Sequence, residues 1–377
     1  MNLTLMVTSA FCLLLACSAA FYVWLVLRMF LALGKVRLGR SKLKPRVSVL
    51  VSARNEEANI GVLLDGLLAQ DYEGEFDIWV ADDRSTDKTP DILAEYSREH
   101  PKKLHVVTIA EIAAKVSPKK NAITKLVESC SGELLLLTDA DCRVPGGWIT
   151  GIVKEFEPGI DLVAGNSYLE LPKSGAKALL YMQGVETMSY RIAGTAGLAL
   201  RMPLTSTGNN LAYRKSFFAK VEGFKNVEHI QSGDDDLLMQ KAVSNPWSIR
   251  YCVNPETLVA TDGKATFREL WEQRKRWASK TIYYTPRTVR ILASIFVFFL
   301  CISASPFVAI LDLRVLLVLA AAFLLKIVAD LLLFRRGLRL LRQQYLFKWF
   351  IPVEILHAPF TVLAVLFGIL GKFQWKN

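Results

Sequence analysis

Four long apolar runs stand apart from an interior in which apolar stretches are short and regularly interrupted. Leu3 to Leu27 holds no charged residue. At ~1.5 Å per residue that carries a helix through a ~30 Å hydrocarbon layer. Ile291 to Leu311, Val315 to Phe334 and Phe350 to Leu370 repeat the pattern near the other end. Between them, Val47 to Ser52, Phe76 to Ala81, Leu104 to Thr108 and Leu134 to Thr138 have the length and composition of strands. The last is almost unbroken leucine, which predicts a parallel strand buried on both faces. Glu56 to Gln70 carries Ile60, Leu63, Leu64, Leu67 and Leu68 at helical spacing. Strands alternating with helices predict an α/β fold with a doubly wound, mostly parallel sheet, whose ligands bind beyond the carboxyl ends of the strands. Later segments read as helices lying near a membrane surface: Ala176 to Leu200 as one or two, with a core helix as the equal alternative, then Phe267 to Tyr284, basic on one side through Arg274, Lys275, Arg276 and Lys280, then Leu338 to Trp349.

The expected organisation is a membrane helix over 1–27, a basic linker over 28–46, a cytosolic catalytic domain over 47–287 and a three-helix membrane region over 288–377. A cleaved signal peptide would need a basic start and a shorter apolar core. Leu14-Leu15-Ala16-Cys17 has the form of a lipoprotein cleavage site, but the apolar run continues past it through Leu25. Lys326 and Asp330 share a helix face inside the third run and read as a helix–helix ion pair, with a polar lining for an acceptor as the rival reading.

The chain has 377 residues, 52% of them hydrophobic, which excludes a disordered chain. Its formal charge of +11 would suit either nucleic acid or an anionic membrane face. Placement decides. Arg28 to Arg46 contains seven bases and no acid, Arg287 and Arg290 precede the second run, and Arg335, Arg336, Arg339 and Arg342 follow the third. The positive-inside rule puts these segments and the large interior in the cytosol, with both termini outside. The basic excess therefore belongs to the membrane, and no nucleic-acid partner is expected. The six cysteines show no metal-ligand spacing and read as reduced packing residues.

Chemistry concentrates at the strand ends. Asp139-Ala140-Asp141 follows the leucine strand, and two carboxylates so spaced can share a hard divalent cation. Asp82 and Asp83 end a neighbouring strand, where they suit the N–H of a base or ribose hydroxyls, or else a turn cap. Ser232-Gly233-Asp234-Asp235-Asp236 sets three carboxylates together, suiting a general base with a raised pKa or a helix N-cap. Gln273, Arg276 and Trp277 lie within about one helical turn. They offer a phosphate-binding guanidinium and a flat indole wall, or simply an interfacial basic helix.

Together these segments resemble the family 2 glycosyltransferases of GT-A fold, in their membrane-embedded branch, from Pro45 to about Pro286. Val47 to Glu57 is similar to the family's opening strand and loop, which implies donor contacts at Ala53, Asn55 and Glu56. Ala81 to Asp87 is similar to the nucleotide-binding D-D-x-S-x-D segment, implying Asp82 and Asp83. Lys119-Lys120-Asn121-Ala122 resembles the basic turn before the donor-side helix, implying that Lys120 reaches the donor. The D-x-D resemblance implies Mg²⁺ or Mn²⁺ on Asp139 and Asp141, with Asp139 also at the donor. Gly208 to Arg214 is similar to the loop beneath sugar and acceptor, implying Gly208, Asn209 and Asn210. Gln273 to Trp277 fits Q-x-x-R-W, implying Gln273, Arg276 and Trp277 at the donor and Trp277 also on the acceptor side. One departure is that Ser232-Gly233-Asp234 stands where the family has T-E-D. Asp234 is the base by position, with Asp235 near enough to substitute.

The resemblance implies a single inverting transfer of a hexose from a nucleotide sugar, with a uridine preference, to a lipid hydroxyl: a glycerolipid, sphingolipid, polyprenyl or hydroxylated carotenoid. A processive polysaccharide synthase is the alternative; four spans give it little material for a polymer channel. A non-catalytic nucleotide-binding scaffold would be expected to lack the carboxylates or the Arg-Trp pair, and all are present. A dinucleotide oxidoreductase is excluded, because no G-x-G-x-x-G follows the first strand.

Overall fold

The computed structural model describes residues 3–111, 115–171, 178–243 and 246–371. The chain clusters into two units, one helical (1–35, 175–200 and 264–377) and one built on a sheet (36–174 and 201–263).

In the sheet unit the short apolar runs become β1 (Val47–Ala53), β2 (Phe76–Asp83), β3 (Leu104–Ile109) and β4 (Leu134–Asp139). Six shorter strands follow: β5 (Cys142–Arg143), β6 (Leu162–Ala164), β7 (Ser167–Leu169), β8 (Leu211–Arg214), β9 (Ile249–Tyr251) and β10 (Val259–Thr261). The main sheet has the order β3-β2-β1-β4-β8-β6-β9. All its strands are parallel except β8, which runs antiparallel between β4 and β6. The expected α/β, mostly parallel sheet is therefore present, and β5, β10 and β7 form a second small sheet. Leu134 to Leu136 are fully buried, as a central strand covered on both faces requires.

The crossovers are α2 (Ile60–Leu68), α3 (Thr89–Glu99), α4 (Pro118–Ser129) and α5 (Trp148–Val153), with α7 (Lys215–Lys220) and α8 (Asp236–Lys241) beyond β8. Helix α2 is shorter than its periodicity predicted, because Asn55 to Asn59 form a loop instead. Its stripe Ile60, Leu63, Leu64 and Leu67 is wholly buried.

The helical unit holds α1 (Leu3–Leu33), α6 (Ala178–Ala199), α9 (Phe267–Ser279), α10 (Pro286–Val308), α11 (Arg314–Leu340) and α12 (Phe350–Leu370). Helices α1, α10, α11 and the stretch Gln344–Leu370 are long and apolar enough to cross a membrane. The reading of 47–287 as one catalytic stretch included α6 and α9, which here cluster with these apolar helices.

Of three later segments, the first keeps an expected form and the other two differ from expectation. Ala176 to Leu200 forms one helix, α6, over its described part. Phe267 to Tyr284 breaks after Ser279 into a 3₁₀ turn at Thr281–Tyr283, and Pro286, which holds Thr285 in extended backbone, opens α10 as a separate helix. Leu338 to Trp349 is not one interfacial helix. Helix α11 ends at Leu340, Arg342 takes a left-handed φ of 54°, and a 3₁₀ turn over Gln344–Trp349 leads into α12.

Three charges within the apolar helices, Lys326, Asp330 and Glu354, are paired with one another. Lys326 Nζ, fully buried, donates to Asp330 Oδ2 at 2.9 Å and to Glu354 Oε1 of α12. Tyr22 of α1 donates its hydroxyl to Asp330 Oδ1 at 2.9 Å. The expected ion pair is thus the centre of a polar cluster joining three helices, and such a cluster fixes their register.

Candidate active site

In the sheet unit, two loops at the carboxyl ends of β1 and β2 are laced together. Asn55, at φ 54°, donates its backbone N–H to Ser85 Oγ at 3.0 Å, and its Oδ1 accepts from Thr86 N at 2.8 Å. Glu56 N donates to Thr89 Oγ1, and Glu57 N to Asp87 Oδ2. Asp82 and Asp83 are buried beneath this seam. Asp82 accepts from Ser85 N at 3.3 Å, and Asp83 pairs with Arg84 Nε at 2.9 Å. The turn-capping role is therefore present, and the same residues tie the β1 and β2 loops to each other. Ala53 ends β1 with 1% of its surface exposed.

At the end of β4, Asp139 Oδ1 meets Lys119 Nζ at 2.6 Å, and the same ammonium lies 2.9 Å from Asp234 Oδ2. Burial alone would lower the Lys119 pKa, but Asp139 and Asp234 outweigh it and raise it above the ordinary ammonium range. Lys119 is a fixed positive charge and cannot serve as a base. Asp141 is half-buried, and among the described residues it pairs with no lysine or arginine. Nor do three His, Cys, Asp or Glu side chains converge as a metal cage among those residues.

The three consecutive carboxylates point to different partners. Asp236 is buried and accepts from Ser206 N at 2.5 Å and Ser206 Oγ at 3.1 Å. Asp235 caps α8 by accepting from Asp236 N and also takes Gly208 N at 2.9 Å. Asp234 faces Lys119. Gly208 is glycine for a steric reason: a Cβ there would lie 2.7 Å from Asp234 Oδ2 and 3.1 Å from Lys119 Nζ. Both are side-chain ends that can swing away. Gly208→Ala is thus expected to leave the thermal midpoint close to wild type while lowering turnover about 10²-fold, because the carboxylate is displaced by a fraction of an ångström or more. Calorimetry beside initial-rate assays checks this.

Two expected contacts go elsewhere. Lys120 is 1% exposed, and its Nζ donates to the carbonyls of Val227, Ile230 and Ser232. It ties down the loop that leads to Asp234, whereas Lys119, which the resemblance did not single out, meets the carboxylates. Both sit in the first turn of α4, not in a turn before it. Asn210, 1% exposed, accepts from Trp148 Nε1 and donates to the carbonyls of Asn166 and Thr257. Both its amide hydrogens are spent inside the fold, so it pins the loop instead of meeting an acceptor. Asn209 Oδ1 accepts from Thr207 Oγ1 at 2.7 Å.

In the helical unit, α9 starts on a capping box of Thr266 and Glu269 and carries Gln273, Arg276 and Trp277, all half-buried. Its bases do not share one exposed side. Arg274 is buried against Glu186 of α6, Lys280 is buried, and Lys275 and Arg276 are half-buried. Three consecutive residues sweep about 200° of a helix, so one face could not hold them all.

Comparison with known proteins extends this picture. A family model described as glycosyl transferase family 21 matches residues 7–377. The chain is 30% identical over 237 residues to a beta-monoglucosyldiacylglycerol synthase of Nostoc, covering 62% of this chain and 48% of that protein. It is 26% identical over 272 residues to the probable glycosyltransferase YdaM of Bacillus subtilis, covering 68% and 62%. The chain thus spans about half the length of the first of these relatives. Among solved structures, the mannosyltransferase PcManGT of Pyrobaculum calidifontis, in complex with GDP-Man and Mn²⁺, superposes with a TM-score of 0.59 at 19% identity. The superposition covers 92% of this chain and 98% of that one. That likeness bears on the fold.

Proposed function

This chain belongs to glycosyl transferase family 21 and is a glycosyltransferase, and we propose that it moves a hexose from a nucleoside-diphosphate sugar to the hydroxyl of a membrane lipid. The observation that carries the reading is the Asp139–Lys119–Asp234 cluster at the carboxyl end of β4, with Asp141 beside it. The four apolar helices and the glucosyldiacylglycerol synthase relatives support a lipid acceptor.

In the proposed displacement, Asp234 takes the proton of the acceptor hydroxyl as its oxygen attacks the anomeric carbon from the face opposite the nucleotide, inverting that centre. Asp235, already capping α8 and holding Gly208, is left to position its neighbour. The carboxylates at Asp82 and Asp83 and the loop of Ala53, Asn55 and Glu56 bind the base and ribose, with uridine preferred. Lys119 offsets charge on the departing diphosphate, as a fixed cation aimed at developing negative charge does. Gly208 and Asn209 are assigned to the acceptor side; Gln273 and Arg276 keep the donor role, and Trp277 the donor and acceptor role, that the resemblance of the Q-x-x-R-W segment implies.

The chemistry of Asp139 and Asp141 fits a hard divalent ion. Mg²⁺ and Mn²⁺ are commonly held by one or two carboxylates and completed by substrate phosphates and water, so a third protein ligand is not required. When bound, the ion would neutralise charge on the diphosphate oxygens. The relative from Pyrobaculum, with its GDP-Man and Mn²⁺, is consistent with this. The basic segments support a cytosolic side for the catalytic unit, at a bacterial inner membrane in our reading.

The test uses the full chain in lipid nanodiscs with labelled UDP- and GDP-hexoses and diacylglycerol, ceramide, polyprenyl phosphate or a hydroxylated carotenoid. A single-hexose, organic-soluble product is expected. Label entering a long water-soluble polymer would favour a processive synthase, and no transfer to any acceptor class would reject the reading.

A further inference from the structure

We propose that Glu186 and Arg274 are a positioning pair for the transfer site: they fix which atoms Gln273 presents and the plane in which Trp277 stands. The proposal rests on the assignment of the Q-x-x-R-W segment to that site.

Arg274 occupies the first variable position of the motif. Its side chain is 3% exposed and that of its partner Glu186, on α6, is 7% exposed. The guanidinium grips the carboxylate with Nε to Oε1 and Oε2 at 3.0 Å each and Nη2 to Oε2 at 2.7 Å. A charge so deep is tolerated only in this kind of forked geometry. The remaining edge of the fork does something else. Nη1 donates to Gln273 Oε1 at 2.5 Å.

That contact sets the direction of the Gln273 amide. Arginine has donors and no acceptor, so the oxygen of Gln273 must face it. The amide then turns its two N–H donors elsewhere, which suits phosphate or hydroxyl oxygens. The same guanidinium lies 4.2 Å from the centroid of the Trp277 ring. Tyr190, one turn along α6 from Glu186, donates its hydroxyl to Glu186 Oε1 at 3.1 Å. Its ring meets Trp277 edge-on at 6.1 Å and 75°. The indole is therefore held by a cation and an aromatic edge that both depend on one carboxylate. Helix α12 keeps α9 in place: a Cβ on Gly368 would come within 2.5 Å of the Lys275 carbonyl.

A merely structural ion pair can be replaced by apolar residues of similar size without loss of stability. That distinguishes the two roles. Steady-state constants and thermal midpoints would be measured on the full chain in nanodiscs for Arg274→Lys, the double variant Glu186→Leu with Arg274→Met, Gln273→Ala and Trp277→Ala. Lysine keeps the charge and loses the fork. We expect Arg274→Lys and the double variant to raise the KM for donor and acceptor about tenfold each, with a smaller fall in kcat and a near wild-type midpoint for the double variant. Wild-type KM values in a stably folded double variant would overturn the proposal and leave a structural tie. If Gln273→Ala and Trp277→Ala keep wild-type constants, the motif's place in the transfer site fails, and the pair's role with it. If only those two lose activity, the pairing alone is wrong.

Discussion

Asp234→Asn is expected to bind the donor with near wild-type affinity and to transfer about 10³-fold more slowly, the size of effect that loss of a general base produces. The substitution keeps the shape of the side chain and removes its capacity to take a proton. Lys119 retains Asp139 at 2.6 Å, so the ammonium stays compensated and the fold should survive. Asp235→Asn is the informative control. Asparagine has a single acceptor oxygen, so it keeps either the α8 cap or the Gly208 N–H but not both; losing one such bond should cost no more than about tenfold in rate. Initial rates with labelled donor, beside calorimetric titration of the nucleotide sugar, separate the two variants. Turnover of Asp234→Asn within a few-fold of wild type would move the base elsewhere; a larger loss in Asp235→Asn would move it one residue along.

Adjacent lysines supply the second strong contrast. Lys119→Met removes the cation between Asp139 and Asp234 and leaves two carboxylates facing each other. These groups are partly exposed, so water and salt soften the repulsion, and the stability cost should be only about 1 kcal/mol. The catalytic cost should be about 10²-fold in kcat/KM, comparable with removing one fixed donor from a developing oxyanion. Lys120→Met should do the reverse. Its ammonium is buried on three carbonyls, and losing it leaves acceptors without their donor, at a cost of about 3 kcal/mol. The reading predicts a fall in midpoint for Lys120→Met and a fall in kcat/KM for Lys119→Met; the opposite assignment would restore Lys120 to the donor.

Where the sequence spoke clearly, a large sum of like residues was involved. Four apolar helices, the leucine strand and the alternation of strands with helices are each carried by many positions, and one residue more or less does not change them. Segment-scale features of the site were legible for the same reason: Asp82, Asp83, Asp139 and Asp141 sit at strand ends, where a parallel sheet gathers its ligand loops. The departures arose where one side chain had to be told from its neighbour. Lys119 and Lys120 differ by about 100° around α4, and only the packing of the 227–232 loop onto Lys120 decides which one turns to the carboxylates.

The same holds for Asp234 to Asp236, whose roles depend on the chain at 206–208, nearly 30 residues earlier. Arg274 looked like one more base on an interfacial helix until Glu186, 88 residues away, turned it inward. The chain's own order of apolar and polar residues therefore determined the helices, the strands and the neighbourhood of the chemistry, because hydrophobic burial is summed over whole segments. Which individual nitrogen meets which oxygen was decided by tertiary contacts, because a hydrogen bond depends on ångström-scale distance and direction that no local pattern encodes.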